Sequence, residues 1–197
     1  MTRILDLLLA LPLALATSPL VFLLALYVVA VDGWPAFHRD LRLGHHGRPF
    51  RLLKIRSLSR ATGAAVTAAD DPRLRPWGRF LRRHRLDELP QLWQVVSGRL
   101  ALVGPRPESP RLVLADDPRE EELGRLRPGL VDPALLDFLD EDEMLRDRPD
   151  PEAWYRCHLR PRKLEAALAW SRRRRLRDDL LLLLRTAGRI WLPRRSR

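Results

Sequence analysis

Two adjacent carboxylates, Asp87 and Glu88, follow an arginine-rich stretch of the sequence and precede an apolar one. Apolar residues recur after them at the spacing of one helix face, and Pro90 is tolerated only in the first turn of a helix. A helix is therefore predicted to begin near Asp87. A carboxylate at that place can be an ordinary N-cap or, kept ionised by the positive end of the helix dipole, a nucleophile or metal ligand.

Basic residues that suit phosphate binding stand on both sides of this acidic pair. Arg82 belongs to the stretch just upstream, and Arg106 lies between two prolines that fix its backbone as a rigid turn. Lys54 and Arg56 alternate along a predicted strand, so their side chains share one face. If these cations converge on the two carboxylates, and the acids hold Mg²⁺, the site could carry out phosphoryl transfer on a diphosphate ester.

The elements that must position these residues are predicted from hydrophobic patterning. Two strands, at residues 37–43 and 49–58, flank a glycine-bounded turn and form a hairpin. Helical patterns cover roughly residues 75–85, 87–96 and 151–172. The expected fold class is mostly α with a small β-hairpin, an α+β catalytic domain over residues 34–197.

The N-terminal segment is apolar from residue 4 to residue 31. As one straight helix it would measure about 42 Å, more than the ~30 Å hydrocarbon core of a bilayer. Ser18 and Pro19 lie at its middle, where the proline removes a backbone donor. Residues 1–33 are thus predicted to be a membrane segment, either a kinked single span or a re-entrant helix–break–helix. Arg3 and the basic domain favour re-entry, and the apolar length argues against a cleaved signal peptide.

Composition restricts the classes of function. The net charge of +11 indicates an anionic partner, and the apolar fraction of 46% excludes wholesale disorder. Cys157 is the only cysteine, which excludes disulfides within the chain and multi-cysteine metal sites. No DNA- or RNA-binding module is recognisable, so nucleic acid is not an expected partner. A basic amphipathic helix, with an apolar face from Leu176 to Trp191 and with Arg189 elsewhere, should pack on the domain or lie on an anionic membrane.

Several short motifs follow one another in a fixed order. They are Ser18-Pro19, Leu53-Lys54-Ile55-Arg56-Ser57-Leu58, Asp71-Pro72-Arg73, Leu86-Asp87-Glu88-Leu89-Pro90-Gln91-Leu92, Val103-Gly104-Pro105-Arg106-Pro107-Glu108 and Arg127-Pro128-Gly129. Together they resemble the bacterial sugar transferase family, the monotopic phosphoglycosyl transferases, over nearly the whole chain. The resemblance implies a re-entrant membrane helix, helices along the membrane interface and a small β-hairpin beside the active site. It also implies the minimal form of the family, without additional N-terminal spans.

The resemblance further implies a two-step reaction at the cytoplasmic face of the bacterial inner membrane. The carboxylate that matches Asp87 attacks the sugar-bearing phosphate of a nucleotide diphosphosugar, with a UDP-sugar as the expected donor, and expels the nucleoside monophosphate. Polyprenol phosphate then takes the sugar phosphate from the aspartyl intermediate. Glu88 matches the second acid of the dyad, Mg²⁺ is the expected cofactor, and Arg82 and Arg106 match arginines expected at the phosphates.

Two stretches depart from the family pattern. Ser97-Gly98-Arg99-Leu100-Ala101 stands where Lys-Gly-Asp-Met-Ser is usual, and Gln94 stands where asparagine is usual. After Gly129 the chain follows the Asp132-Pro133 form of a sub-branch. An alternative therefore stays open, in which a catalytically altered member acts as a membrane scaffold in a glycan-assembly complex. The motifs assign no sugar, pathway or oligomeric state.

Overall fold

The computed structural model of the chain describes residues 3–59, 63–134, 136–138 and 140–191, with side chains up to residue 188. Its helices are α1 Arg3–Asp32, α2 Pro76–Arg83, α3 Gln91–Val96, α4 Pro118–Gly124, α5 Glu141–Met144, α6 Pro151–Trp154, α7 Arg160–Arg173 and α8 Leu176–Trp191. Its strands are β1 Phe37–Leu43, β2 Pro49–Ile55, β3 Ala101–Val103 and β4 Gly129–Val131. The predicted class, mostly α with a small β-hairpin, is confirmed.

Strands β1 and β2 form the predicted antiparallel hairpin, with Phe37 opposite Ile55 and Leu43 opposite Pro49. The second strand ends at Ile55 rather than at residue 58. The N–H of Arg56 still donates to the carbonyl of Ala36 at 2.8 Å. Beyond that pair the first strand offers a proline, which has no N–H, so the ladder stops there.

A second, parallel sheet joins β3 to β4, with Ala101 opposite Gly129 and Val103 opposite Val131. This sheet was not predicted from the sequence. The two chain segments approach very closely, because a Cβ on Gly129 would lie 2.1 Å from the backbone nitrogen of Gly104. A side chain at either glycine would force the segments apart, so the glycines set the distance between the Arg106 turn, which follows β3, and β4.

Helix α3 begins at Gln91 and not near Asp87 as predicted. Arg85 adopts a left-handed conformation with φ of 54°, and one turn of 3₁₀ helix follows over Leu86–Glu88. Pro90 takes the N-cap position and not a first-turn position. The left-handed residue starts a tight i→i+3 turn that holds the acidic pair outside the α-helix. The predicted stop is observed, since Gly98 follows the helix with φ of 83°.

The predicted helix at residues 151–172 is present as a single helical run in α6 and α7. A wide π turn over Tyr155–Leu159 separates the two. Such turns add a residue to the helical repeat and change which side chains face inward. Tyr155, Leu159 and Arg160 are buried as a result.

Helix α1 is continuous through Ser18 and Pro19. The structure therefore differs from the predicted helix–break–helix, because the helical backbone continues without interruption from one half to the other. The Ser18 hydroxyl donates to the carbonyl of Ala14 at 2.6 Å, and the Thr17 hydroxyl donates to that of Leu13 at 2.7 Å. Such back-bonding maintains the helix across a proline and favours a bend in place of a break.

Both halves of α1 pack on the rest of the chain. Ala10 and Ala14 are buried with Leu92 and Val95 of α3 in one core cluster, and Val28 is buried against Ile55 in another. Among the described residues α1 is the one helix long and apolar enough to cross a membrane. Many of its other apolar side chains are exposed, among them Ile4, Leu8, Leu15, Phe22, Leu23 and Leu26. The predicted segments 1–33 and 34–197 therefore share a core.

Helix α8 packs on the domain through a different face from the predicted one. Leu182 is buried in the cluster that contains Ala10 and Ala14, and Asp179 is buried with its carboxylate 3.0 Å from Arg174 Nε. Of the predicted apolar face, Leu183 packs partly against that cluster, whereas Leu176, Leu180 and Leu184 are exposed. The predicted contributions of Arg189 and Trp191 lie outside the described side chains. The exposed leucines form a second apolar stripe in addition to that of α1.

Candidate active site

The predicted site residues converge on one cleft of about 1550 Å³. Its walls come from the hairpin, from α2 with the turn that follows it, from the Arg106 turn, and from the chain between Asp132 and Lys163. All six residues predicted from the sequence line it, namely Lys54, Arg56, Arg82, Asp87, Glu88 and Arg106.

Glu88 is held by three cations. Its Oε1 lies 3.2 Å from Lys54 Nζ and 2.5 Å from an Arg106 guanidinium nitrogen, and its Oε2 lies 3.5 Å from Arg85. Burial alone would raise the pKa of Glu88, but the charges of Arg106, Lys54 and Arg85 bring it well below its usual value. Burial lowers the pKa of Lys54 to about 8, although the negative charge of Glu88 acts to raise it. Glu88 is therefore a fixed anion.

Asp87 differs from its neighbour. It is 3% exposed, and within the described part of the chain no hydrogen bond or ion pair engages its carboxylate. Burial and the charge of Glu88 raise its pKa, while Lys54 and Arg82 act in the opposite direction. Since α3 starts four residues later, ionisation of Asp87 depends on these cations and not on the expected helix dipole. Asp87 is thus the member of the acidic pair whose carboxylate no described side chain engages.

The turn that carries Arg106 is held from two sides. The N–H of Arg106 donates to Oδ2 of Asp132 at 3.2 Å, which extends the contact between β3 and β4 past the end of the strands. On the other side, the N–H of Leu43 donates to the carbonyl of Glu108 at 2.8 Å. The prolines and these bonds orient the guanidinium toward Glu88.

Arg82 and Arg56 line the cleft without contacting the acidic pair. Arg82 lies 3.7 Å from Asp142 and is near enough for its charge to lower the pKa of Asp87. Arg56 donates to the carbonyls of Asp32 and Gly33 at the end of α1. Its charge therefore secures the C-terminal end of α1, whereas that of Lys54 faces Glu88.

Sequence reasoning missed a buried network behind Arg106. Glu108 accepts a hydrogen bond from the Tyr155 hydroxyl at 2.6 Å and lies 3.3 Å from Arg160 and 3.2 Å from Arg42. Burial opposes the ionisation of Glu108, but Arg160 and Arg42 lower its pKa. The signal was present, since Glu108 ends the Pro-Arg-Pro-Glu motif. Arg85 was also missed, because nothing in its local pattern marks a left-handed residue.

The acidic pair suits magnesium if a substrate completes the coordination. The described residues contain no group of three or more His, Cys, Asp or Glu side chains arranged to hold a metal. Asp87 and Glu88 are adjacent and buried, and their mutual repulsion raises the pKa of Asp87. Mg²⁺ is commonly held by one or two carboxylates together with waters and substrate phosphates. The residues present therefore fit a magnesium site of that kind.

Comparison with known proteins places these features in context. A family model described as bacterial sugar transferase matches residues 1–192. The chain is 35% identical over 155 residues to an undecaprenyl-phosphate glucose phosphotransferase of Komagataeibacter xylinus, covering 74% of this chain and 29% of that one. It is 36% identical over 148 residues to the exopolysaccharide production protein ExoY of Sinorhizobium fredii, covering 66% and 65% of the two chains.

A third relative comes from Caulobacter vibrioides and is named UDP-glucose:undecaprenyl-phosphate glucose-1-phosphate transferase. It is 41% identical over 110 residues, covering 54% of this chain and 41% of that one. The chain thus spans between 29% and 65% of the length of these curated relatives.

Proposed function

The chain belongs to the bacterial sugar transferase family, and on that premise we propose that it transfers a sugar 1-phosphate from a nucleotide diphosphosugar to polyprenol phosphate. The expected donor is a UDP-sugar. The observation that carries the proposal is the contrast within the acidic pair. Asp87 is buried, lines the cleft and has no engaged partner in the described residues, whereas three cations fix Glu88.

In the first step Asp87 acts as the nucleophile. One of its carboxylate oxygens forms a bond to the phosphorus of the sugar-bearing phosphate, and the bond from that phosphorus to the bridging oxygen breaks. The nucleoside monophosphate leaves with the bridging oxygen, and the sugar phosphate remains on Asp87 as an acyl phosphate. An unengaged carboxylate suits this role because it need not give up a protein partner before it attacks.

The cations around Asp87 can offset the negative charge of the diphosphate and so allow the carboxylate to approach it. Arg106, presented from a fixed turn, and Lys54 can donate to phosphate oxygens while Glu88 keeps both cations in place. Arg82, on α2, adds positive potential near Asp87. Asp87 and Glu88 would hold Mg²⁺, which when bound neutralises phosphate charge and stabilises the leaving group.

In the second step an oxygen of polyprenol phosphate attacks the same phosphorus and releases Asp87. The acceptor has its head group at the membrane surface, so the cleft must open there. The exposed apolar stripes of α1 and α8 lie on elements that pack together and would rest in one leaflet. Arginines beside the cleft suit an anionic surface. The protein would thus act at the cytoplasmic face of the bacterial inner membrane.

The Ser97–Ala101 departure from the family motif lies away from the cleft, whereas Asp132 of the second departing stretch lines it. Ser97 and Arg99 are exposed, Leu100 is a fully buried core residue, and Ala101 belongs to β3. None of residues 97–101 lines the cleft. This placement favours an active enzyme over the scaffold alternative, because the altered residues 97–101 do not touch the acidic pair.

The direct test is the release of UMP from a panel of UDP-hexoses and UDP-N-acetylhexosamines by the full-length protein in detergent with undecaprenyl phosphate. We expect UMP and a polyprenyl diphosphosugar with one member of the panel. Without the acceptor, we expect a sugar phosphate adduct on the peptide that contains Asp87, detected by mass spectrometry. Intact protein that forms neither product nor adduct with any UDP-sugar would support the scaffold alternative.

We further propose that α1 is a re-entrant anchor for the catalytic part at residues 34–197. Arg3 donates to the carbonyls of Val95 and Val96 at the end of α3, and Arg56 binds Asp32 at the other end of α1. Both ends of the helix are therefore tied to the same domain. A span with Arg3 on the far side of the membrane would have to break the first of these contacts.

Cysteine labelling tests this topology. In a Thr2→Cys, Cys157→Ser variant, we expect no reaction with an impermeant maleimide in intact spheroplasts and full reaction after lysis. Cys157 of the unaltered protein is exposed on the catalytic part and serves as the matched control for that side of the membrane. Labelling of residue 2, but not of Cys157, in intact spheroplasts would show a spanning helix. Replacing Ser18 and Pro19 by leucine should shift the protein toward that result.

A further inference from the structure

We propose that Gln94 is a positioning residue, which holds Lys54 against Glu88 by fixing strand β2 to helix α3. The proposal rests on the proposed function only where activity is used as a readout. It concerns a residue outside the cleft, since Gln94 is not among the cleft-lining side chains. Gln94 acts on the site through the backbone of β2.

The Gln94 amide takes the place of a strand partner. Its Oε1 accepts a hydrogen bond from the N–H of Leu53 at 2.9 Å, and its Nε2 donates to the carbonyl of Arg51 at 2.8 Å. These two groups flank Leu52 on the outer edge of β2, because the sheet has two strands and β1 occupies the other edge. Gln94 is 6% exposed, so both bonds are formed away from water.

The two hydrogen bonds of the Gln94 amide form a bridge between β2, which carries Lys54, and α3, which follows Glu88. Lys54 directly follows Leu53 on β2, and its Nζ lies 3.2 Å from Glu88 Oε1. Glu88 lies three residues before the start of α3, and Gln94 lies within that helix. A lysine has a long flexible stem, so its head group is placed accurately only if its backbone is fixed relative to its partner. Gln94 supplies that fixed relation across about forty residues of chain.

Length matters for this bridge. An asparagine is shorter than glutamine by one methylene, about 1.5 Å, and could not keep both bonds unless β2 moved toward α3. Gln94→Asn should therefore weaken the bridge, and Gln94→Leu should remove it while conserving most of the volume. Gln91 offers a matched control on the same helix. It is buried, and its Nε2 has no partner in the described part of the chain.

The first experiment measures the environment of Lys54 without using activity. The chain has only two lysines, Lys54 and Lys163, and Lys163 is paired with Glu141 of α5 and not with Glu88. The full-length protein in detergent with EDTA is labelled briefly with an N-hydroxysuccinimide ester, and each lysine is quantified by mass spectrometry. We expect Gln94→Leu to increase labelling of Lys54 severalfold and to leave Lys163 and the Gln91→Leu control unchanged. Equal labelling of Lys54 in all proteins would overturn the proposal.

The second experiment is a double-mutant cycle on UMP release, with Gln94→Leu, Lys54→Met and both together. If Gln94 acts through Lys54, its replacement should lower kcat/KM about tenfold in the unaltered protein and hardly at all when Lys54 is already methionine. Equal effects in both backgrounds would show a purely structural role. If Gln94→Leu fails to fold, Gln94→Asn enters both experiments in its place. A wild-type protein that releases no UMP would contradict the proposed function, while the labelling result would still decide the role of Gln94.

Discussion

Replacing Asp87 by asparagine should reduce the release of nucleoside monophosphate by roughly 10³-fold or more, since the amide removes the attacking oxygen and leaves the rest of the site intact. The melting temperature should be unchanged or higher. Burial and Glu88 already disfavour the charge on Asp87, so a neutral amide of the same shape relieves that repulsion. UMP release measured with a coupled assay, together with a thermal melt, checks both expectations. Full activity of Asp87→Asn would remove Asp87 from the nucleophile role.

The matched control is Glu88→Gln, which should behave differently on both measures. Glu88 neutralises Lys54 and Arg106, so its loss leaves two partly buried cations without their anion and destabilises the fold by about 3 kcal/mol. Because Asp87 remains, a small amount of sugar phosphate adduct should still form. If Glu88→Gln retained full stability, the ion cluster would not be the scaffold that the distances indicate.

Removal of divalent metal should abolish turnover, and added Mg²⁺ should restore it. A carboxylate and a diphosphate repel each other, and the described site offers two acids for a metal, so phosphates of the substrate must complete the coordination. Two observable consequences are expected. EDTA should stop UMP release, and calorimetry should show weak binding of Mg²⁺ to the free protein that strengthens when UDP is added.

Two results would contradict a magnesium site that the substrate completes. Full UMP release in excess chelator would leave Lys54, Arg82 and Arg106 as the groups that neutralise the diphosphate. Tight binding of Mg²⁺ without nucleotide would indicate protein ligands in addition to Asp87 and Glu88. The Asp87→Asn variant provides the control for metal binding, since it should lower any affinity that depends on that carboxylate.

Features that depend on neighbouring residues were predictable from the sequence. Alternation of side chains and the glycine-bounded turn gave the hairpin, and the convergence of Lys54, Arg106 and the acidic pair followed from the motifs they occupy. The start of α3 was predicted four residues too early, because a local pattern does not reveal that Arg85 is left-handed. Leucine spacing in α8 did not predict that Asp179 and Leu182 are buried, while Leu184 is exposed.

Features that depend on distant contacts were not predictable in the same way. The parallel pairing of β3 with β4 joins segments that are 28 residues apart in register, from Ala101 to Gly129, and each strand has only three residues. Such short strands carry no periodic signal of their own. The partner of Arg56 was not predicted, for a similar reason. Alternation placed it on the same strand face as Lys54, but its partner is the end of α1, more than twenty residues upstream.

The close contact between Gly104 and Gly129 limits how members of the family can be recombined. Asp132 accepts a hydrogen bond from the N–H of Arg106, so the segment after β4 helps to position the arginine that faces Glu88. An exchange of C-terminal segments between relatives, made to transfer a sugar preference, would therefore also alter the geometry of this arginine. Strands β3 and β4 must therefore come from the same parent protein. The crossover point of a chimeric enzyme should lie before β3 or after Asp132.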